Sequence, residues 1–260
     1  MPLWSLKFRE MYYQFLHRLS LLFGRSEISA AQFQKLVGLY PNLSLIDKIS
    51  LHARLLCIQP IMSALNKYLP QNGIIVDLGC GYGLISNLLA LASERRVIGV
   101  ELSTPRIAAA LQSIKDRRNI EFHAADIARF DIPLCDAILL IDVLCMLPDA
   151  VKRIIIDRAY ENLVDDGLLV VKDTDKSPRW KYAYTYLEDC IKLNLGLSGH
   201  RSSSVPSQAQ NPRAGLRIPQ YKSRDEFEYL FQEFGFSLIE VTDIKSIMPY
   251  PGIIYVCRKI

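Results

Sequence analysis

The 260-residue chain lacks the features that would place it in several large functional classes. No uninterrupted apolar stretch approaches the roughly 18 to 20 residues that a membrane-spanning helix needs. Lys and Arg are scattered and the net charge is only +4, so no basic patch predicts a nucleic-acid partner. None of the six cysteines lies in a C-x-x-C pair. We therefore expect no metal site and no disulfide framework, and interpret the cysteines as buried thiols in a reducing cytoplasm.

A secretory signal is also lacking, although the chain begins with an apolar helical pattern. Large apolar residues recur at intervals of three and four between Pro2 and Arg25, which predicts an amphipathic helix. Arg9 and Glu10 interrupt any apolar core, and no small-residue cleavage site follows. The helix either packs over the ligand as a lid, or lies at a membrane surface, or binds a partner. We expect a cytoplasmic protein, with peripheral membrane or lipid contact through this helix left open.

Further helical patterns follow, so residues 1–70 are predicted to form an N-terminal helical extension. Ser29 is a suitable N-cap for a segment through Leu39. Residues 46–68 carry another amphipathic pattern, which Pro70 and Gly73 end.

Strand-like and helical segments alternate after this extension. The segment 136–142 is almost continuously apolar, as expected of a strand that is buried on both faces. Alternation at this spacing predicts right-handed βαβ units and a parallel sheet. The predicted strands cover residues 74–78, 96–102, 120–126, 136–142 and 168–173, with the turn Asp165–Gly167 before the fifth.

The pattern changes after the fifth strand. Residues 178–195 predict a tyrosine-rich helix, and residues 196–219 are polar and rich in serine. A loop of this length in a compact domain is usually functional. We expect one domain over residues 71–260, in which residues 176–222 form a substrate-side insertion.

The last part of the chain predicts a capped helix and two closing strands. Ser223 and Glu226 have the spacing of a capping box. Residues 237–244 and 253–258 then read as strands separated by a turn, which predicts a hairpin-like pair at the edge of the sheet.

The strongest motif is the glycine loop Val76-Asp77-Leu78-Gly79-Cys80-Gly81-Tyr82-Gly83, which lies between a strand and a helix. Glycine permits positive φ and lets a ligand approach the backbone closely. A dinucleotide site would carry G-x-G-x-x-G, but Leu84 stands at the place of the third glycine. Asp77 would repel a pyrophosphate, whereas S-adenosylmethionine carries an ammonium and a sulfonium. The loop therefore favours S-adenosylmethionine over NAD.

Acidic residues stand at the ends of the next three predicted strands. Glu101, beside Leu102, follows the loop by about 20 residues, a position from which an acid can accept hydrogen bonds from both ribose hydroxyls. Asp126 can accept from an adenine amino group, and the Ile127 N–H can serve a ring nitrogen. Asp142 ends the fourth strand at the same edge, where ligands bind in open α/β sheets.

These motifs resemble the class I S-adenosylmethionine-dependent methyltransferases. The resemblance covers about residues 61–175 strongly and rests on VDLGCGYG at 76–83, VIGVELS at 97–103, AAD at 124–126 and DAILLIDVL at 136–144. It implies a Rossmann-like, mostly parallel seven-stranded sheet with helices on both faces and an antiparallel last strand. It also implies a cofactor site for S-adenosylmethionine built from Asp77, Gly79, Cys80, Gly81, Gly83, Glu101, Leu102, Asp126, Ile127 and Asp142.

The acceptor is less clearly indicated. Many small-molecule members have a histidine after the fourth strand, but Asp142 is followed here by Val143, Leu144 and Cys145, so no catalytic residue is assigned. The asparagine-proline-proline-tyrosine type motif for amino-group methylation is also absent there. We expect O-methylation of a small, aromatic or lipid-like acceptor. An RNA or protein methyltransferase and a catalytically inactive cofactor-binding relative remain alternatives.

Several residues carry two interpretations each. Trp180 and the tyrosines at 182, 184 and 186 form either an aromatic wall for the acceptor or ordinary helix packing. Lys172, Asp173 and Asp175 form either a pocket wall or a solvated turn. His52, Arg54 and His200 are candidate pocket residues or exposed surface positions.

Overall fold

The computed structural model describes residues 28–41, 58–92, 94–194, 218–244 and 251–260. The predicted helix over Pro2–Arg25, the histidines His52 and His200, and Arg54 lie outside these ranges. Two described helices precede the sheet: α1 (Ala30–Val37) and α2 (Gln59–Tyr68). In these ranges, no helix combines the length and apolar composition that crossing a membrane requires.

The strands and helices alternate in the predicted order. The elements are β1 (Asn72–Leu78), α3 (Leu84–Ala92), β2 (Glu94–Glu101), α4 (Thr104–Ser113), β3 (Ile120–Ala124), β4 (Cys135–Ile141), a 3-10 helix (Leu144–Met146), α5 (Asp149–Asn162), β5 (Leu163–Thr174), α6 (Arg179–Asn194), α7 (Arg224–Glu233), β6 (Phe236–Ile244) and β7 (Gly252–Lys259).

The strands form one seven-stranded sheet in the order β3-β2-β1-β4-β5-β7-β6. The first five strands pair in parallel. Strand β7 lies between β5 and β6 and is antiparallel to both. The predicted fold class, including the antiparallel last strand, is confirmed. Because β1 and β4 are neighbours, the glycine loop after β1 lies at the point where the strand order reverses, which is where ligands bind in such sheets.

Alternate strand residues point to two separate cores. Ile75, Val97 and Leu139 pack with helices α1 to α4 on one face of the sheet. Val76 and Ile98 pack with α5 and α7 on the other face. Both faces are therefore covered, which explains the near-continuous apolar runs in the central strands.

Capping residues fix the starts of two helices as predicted. The Ser29 side chain accepts a hydrogen bond from the Gln32 backbone amide, and the Gln32 side chain accepts one from the Ser29 backbone amide. The same reciprocal pair joins Ser223 and Glu226 at the start of α7. A capping box satisfies two amides that the helix itself leaves unpaired, so each boundary is locally encoded.

Helix α4 ends at Ser113, because Lys115 has a left-handed backbone (φ 52°) that no α-helix accommodates. One predicted strand boundary was wrong by several residues. The fifth strand begins at Leu163 rather than Leu168. The predicted turn around Asp166 (φ 60°) is a bulge inside that strand, because Leu163 pairs with Cys135 and Leu168 with Ala137.

Candidate functional site

The glycine loop is anchored to the end of β2 by its own backbone. The amides of Gly79 and Cys80 both donate to the Val100 carbonyl, at 2.8 and 3.0 Å, and the Gly83 amide donates to the Cys80 carbonyl at 2.9 Å. All three glycines have positive φ, at 82°, 59° and 72° in chain order. The loop is thus a tight turn in conformations that other residues adopt at a cost.

The three glycines differ in what surrounds them. A Cβ on Gly79 would lie 2.5 Å from Val143 Cγ2, and one on Gly83 would lie 2.4 Å from Phe122 Cζ. Packing inside the protein therefore requires these two glycines. A Cβ on Gly81 would meet nothing nearer than Glu101 Oε2 at 4.0 Å. Gly81 leaves open space on the loop, which is the property of a surface that a ligand approaches.

Glu101 borders this open side with a fixed carboxylate. The side chain is buried, Oε2 accepts from the Gly81 amide at 3.0 Å, and Oε1 accepts from the Ser103 amide at 2.7 Å. Ser103 Oγ is buried and has no hydrogen-bond partner in the part of the chain that the structure describes. Leu102, between the two, is half-buried. A buried hydroxyl without a partner beside a fixed carboxylate is a place where a polar ligand can pair.

Asp77 lies beneath the loop rather than open to it. The residue is only 2% exposed and accepts a hydrogen bond of 2.5 Å from Ser86 Oγ in α3. Burial is the main reason why the pKa of Asp77 is raised to about 6. The hydrogen bond from Ser86 opposes this rise, and the neighbouring Glu101 charge adds to it. Its charge therefore acts on the loop from behind. Burial and the Asp77 and Glu101 charges likewise raise the pKa of Cys80.

Asp126 and Ile127 lie just past the end of β3. Asp126 Oδ1 accepts from the Ala128 amide at 3.0 Å, which turns the chain away from the strand. In the described part of the chain, the Ile127 amide has no hydrogen-bond acceptor. The second carboxylate oxygen and this amide remain available at the sheet edge, as the predicted adenine contacts require.

Asp142 follows β4 in a left-handed conformation (φ 58°), and its amide donates to the Lys172 carbonyl at 2.9 Å. Its carboxylate forms an ion pair with Lys172 Nζ. Burial alone would lower the pKa of Lys172, but the Asp142 charge and hydrogen bond outweigh it, so that pKa is raised. Non-glycine residues in this conformation are uncommon and cluster at functional sites.

Asp173, at the end of β5, is fully buried. Its Oδ1 accepts from the Thr174 amide at 2.6 Å, whereas Oδ2 has no hydrogen-bond partner among the described residues. Burial raises the pKa of Asp173 to about 6, against the Thr174 bond, and the Asp142 charge adds to the rise. Asp173 is thus not part of a solvated turn, which corrects one of the two sequence interpretations.

The predicted aromatic wall is only partly assembled. Tyr182 and Tyr186 pack against Tyr221, with ring centroids 5.5 and 6.4 Å away, and the Tyr221 hydroxyl donates to buried Asp189. Tyr221 was not anticipated, because it lies beyond the serine-rich segment. Trp180 (63% exposed) and Tyr184 (48% exposed) belong to the exposed face of α6.

The segment around Tyr221 is fixed to the domain next to the end of β4. The Gln220 amide donates to the Cys145 carbonyl at 2.9 Å, and Lys152 Nζ donates to the Gln220 carbonyl. Lys222 Nζ forms an ion pair of 3.0 Å with Asp149. We call these contacts the staple. They place Tyr221 beside the 3-10 helix that follows Asp142.

A buried hydrogen-bond network beneath the loop was also missed. The Tyr40 hydroxyl donates to the Tyr82 carbonyl at 2.7 Å and accepts from Asn87 Nδ2 at 2.7 Å. Asn87 Nδ2 also lies 2.7 Å from the Gly83 carbonyl and 2.8 Å from Ser113 Oγ. Arg117 donates to Asn87 Oδ1. The glycine loop is therefore held from below by residues of the N-terminal extension, α3 and α4.

Among the described residues, no group of His, Cys, Asp and Glu side chains has the arrangement of a metal site. Cys80, Cys135, Cys145 and Cys257 are free thiols.

Comparison with known proteins was made against families, curated sequences and solved structures. A family described as "Methyltransferase domain" matches residues 51–241. The N,N-dimethyltransferase OxyT of Streptomyces rimosus is 30% identical over 161 residues, covering 59% of this chain and 45% of OxyT. A carboxy-S-adenosyl-L-methionine synthase of Helicobacter pylori strain HPAG1 is 26% identical over 113 residues, covering 43% of this chain and 47% of the synthase. The chain thus spans about half the length of these relatives.

The fold of this chain is also similar to that of a solved methyltransferase structure. Magnesium protoporphyrin IX methyltransferase from Synechocystis PCC 6803, with bound S-adenosylhomocysteine, superposes with a TM-score of 0.58 at 18% identity. The superposition covers 88% of this chain and 94% of the other.

Proposed function

The chain belongs to the methyltransferase domain family, within the class I S-adenosylmethionine-dependent methyltransferases, and we propose that it methylates a small-molecule acceptor. S-Adenosylmethionine is the cofactor of this family, and it would supply a methyl group that bonds to an acceptor nucleophile while S-adenosylhomocysteine leaves. The chain's own residues then have two tasks. They hold the cofactor in one orientation, and they place the acceptor atom in line with the methyl group.

The observation that carries the proposal is the open side of the loop at Gly81, bordered by the Glu101 carboxylate. We propose that the loop Gly79–Gly83 receives the methionine and adenosine portions there. Glu101 would accept from the ribose hydroxyls, with Leu102 beside it. Asp126 would accept from the adenine amino group, and the Ile127 amide would donate to the ring. Asp77 and Cys80 would support the loop from behind, and Asp142 would border the methionine end.

We further propose that the acceptor enters beside the ends of β4 and β5. The staple and the Tyr186–Tyr221 contact border this region from residues 176–222, which supports the predicted substrate role of the insertion. Asp173 Oδ2 is buried and has no hydrogen-bond partner within the described ranges, so it is the candidate to take a proton from an acceptor hydroxyl. A carboxyl group with a pKa near 6 suits that task at neutral pH.

In this proposal the N-terminal extension supports the glycine loop. Its described residue Tyr40 holds the glycine loop through the Tyr82 carbonyl.

An N-methyl acceptor is the second candidate, because the relative OxyT is named as an N,N-dimethyltransferase. The similarity to a carboxy-S-adenosyl-L-methionine synthase adds a third possibility, in which the chain binds the cofactor without transferring a methyl group.

Calorimetry with S-adenosylmethionine, before and after Glu101→Gln, tests the cofactor site. We expect the substitution to weaken binding at least tenfold, because it removes the charge of a buried acceptor. Glu121→Gln, on the exposed side of β3, is the matched control and should bind as the wild type does. Equal binding by wild type and E101Q would reject the proposed ribose contact.

Transfer of a labelled methyl group to panels of phenols, amines, carboxylic acids, RNA and protein then identifies the acceptor. Labelled phenol or carboxylate products support O-methylation, labelled amines support the second candidate, and labelled RNA or protein would overturn the small-molecule assignment. Cofactor binding without any product would favour the non-transferring alternative.

A further inference from the structure

A second cleft lies away from the glycine loop, between α1 and the segment that follows α4. It has a volume of about 630 Å³, which is within the range of small-molecule sites. Leu39 and Leu91 supply apolar lining, and the side chains of Lys35, Lys115 and Arg117 supply positive charge.

The charges of this cleft are unbalanced. Its three cations face a single carboxylate, that of exposed Asp116, and none of the three forms an ion pair within the described ranges. Lys115 Nζ donates only to the Gly38 carbonyl, at 3.1 Å. Lys35 and Lys115 are exposed, whereas Arg117 is half-buried. A half-buried cation without a counter-charge is costly, and an anion that pairs with it offsets that cost.

Arg117 shows the imbalance most directly. Its Nη2 and Nε donate to protein acceptors, but Nη1 is buried and finds no hydrogen-bond partner in the described part of the chain. Burial lowers the pKa of this guanidinium, while the Tyr40 phenol opposes the change.

We propose that the cleft lined by Lys35, Lys115 and Arg117 binds a small amphipathic anion, with one phosphate or carboxylate group on a short alkyl chain. The head group pairs with the cations, and the alkyl chain contacts Leu39 and Leu91. Inorganic phosphate alone lacks the apolar contact and should bind more weakly. The cleft does not include the glycine loop, so its binding can be tested in the absence of S-adenosylmethionine.

Hexyl phosphate is the probe, and calorimetry on the full chain is the measurement. We expect saturable binding at one site that Lys35→Gln weakens by about tenfold, a loss typical of one charge-assisted contact. Lys35 is exposed and has no ion pair, so this variant should fold. Arg118→Gln is the matched control, because it removes the same charge from an exposed neighbour outside the cleft.

Three outcomes overturn the proposal. One is the absence of saturable binding, and another is an equal loss in the Lys35 and Arg118 variants, which would indicate general surface attraction. The third is binding to vesicles of phosphatidylglycerol without binding to hexyl phosphate. Amide NMR shifts confined to the backbone around Lys35, Leu39 and Arg117 would support the site, and shifts at the glycine loop alone would contradict it.

Discussion

Replacing Tyr40 with Phe should loosen the glycine loop without removing any residue that touches the cofactor. The Tyr40 hydroxyl joins two groups, because it donates to the Tyr82 carbonyl and accepts from Asn87 Nδ2, each at 2.7 Å. Burial raises the pKa of this phenol well above its usual value, so it remains a donor at any working pH. The substitution keeps the ring and its packing and deletes only the hydroxyl.

The size of the effect follows from which groups lose a partner. Asn87 Nδ2 keeps the Gly83 carbonyl and Ser113 Oγ as acceptors, whereas the Tyr82 carbonyl loses its side-chain donor. Loss of one intramolecular hydrogen bond costs about 0.5–1.5 kcal/mol, so we expect about 1 kcal/mol lower stability. If about half of that appears as extra freedom of the loop, cofactor affinity falls about twofold, since 1.4 kcal/mol corresponds to about tenfold.

Urea unfolding of the free protein and calorimetry with S-adenosylhomocysteine measure the two quantities. Tyr68→Phe is the matched control, because Tyr68 also belongs to the N-terminal extension but bonds to Glu240, in β6 at the far edge of the sheet. It should leave cofactor affinity unchanged. If Y40F loses stability but binds the cofactor as tightly as the wild type, the loop does not depend on Tyr40 and the reasoning is refuted.

Three further predictions concern the same edge of the sheet. Gly81→Ala should fold with a stability loss of about 1 kcal/mol, because its φ is 59°, and calorimetry should show weaker cofactor binding. Gly83→Ala should unfold far more easily in urea, because its Cβ would lie 2.4 Å from Phe122 Cζ. Asp77→Asn should change the pH profile of stability. The folded pKa of Asp77, about 6, lies above its unfolded value of about 3.8, so its penalty is absent below pH 4 and reaches about 3 kcal/mol above pH 6. The variant should therefore gain stability relative to wild type as the pH of urea titrations rises through this window, and a pH-independent difference would contradict the assignment. Lys172→Met should destabilise the protein and weaken cofactor binding, since it leaves Asp142 without its ion pair; unchanged calorimetry would show that this pair does not border the site.

The local motifs of the sheet could be predicted from the sequence because their signals are short-range. The alternation of strands and helices, the glycine loop and the capping residues each depend on residues within a few positions of one another. Glu101 and Asp126 could also be placed, since parallel strands bring their carboxyl ends to one edge whatever the loops between them do.

The contacts that complete the site could not be predicted in this way. Tyr40 meets Asn87 across 47 positions and Tyr221 meets Asp189 across 32, so no periodicity joins them. The bulge in β5 was read as a turn, because Asp165, Asp166 and Gly167 have turn chemistry and only the pairing of Leu163 with Cys135 shows that the strand has already begun.

The staple has a consequence for changing this protein's chemistry. Gln220, Tyr221 and Lys222 are tied to Cys145, Asp189 and Asp149 by contacts that involve no residue between 195 and 217. The residues that follow that segment are thus held by the domain and by Asp189 of α6. Segments of other sequence and length could be grafted between α6 and Gln220 while the sheet, the glycine loop and the staple stay as they are. Under the proposed substrate role of the insertion, this is the place to vary acceptor choice by engineering.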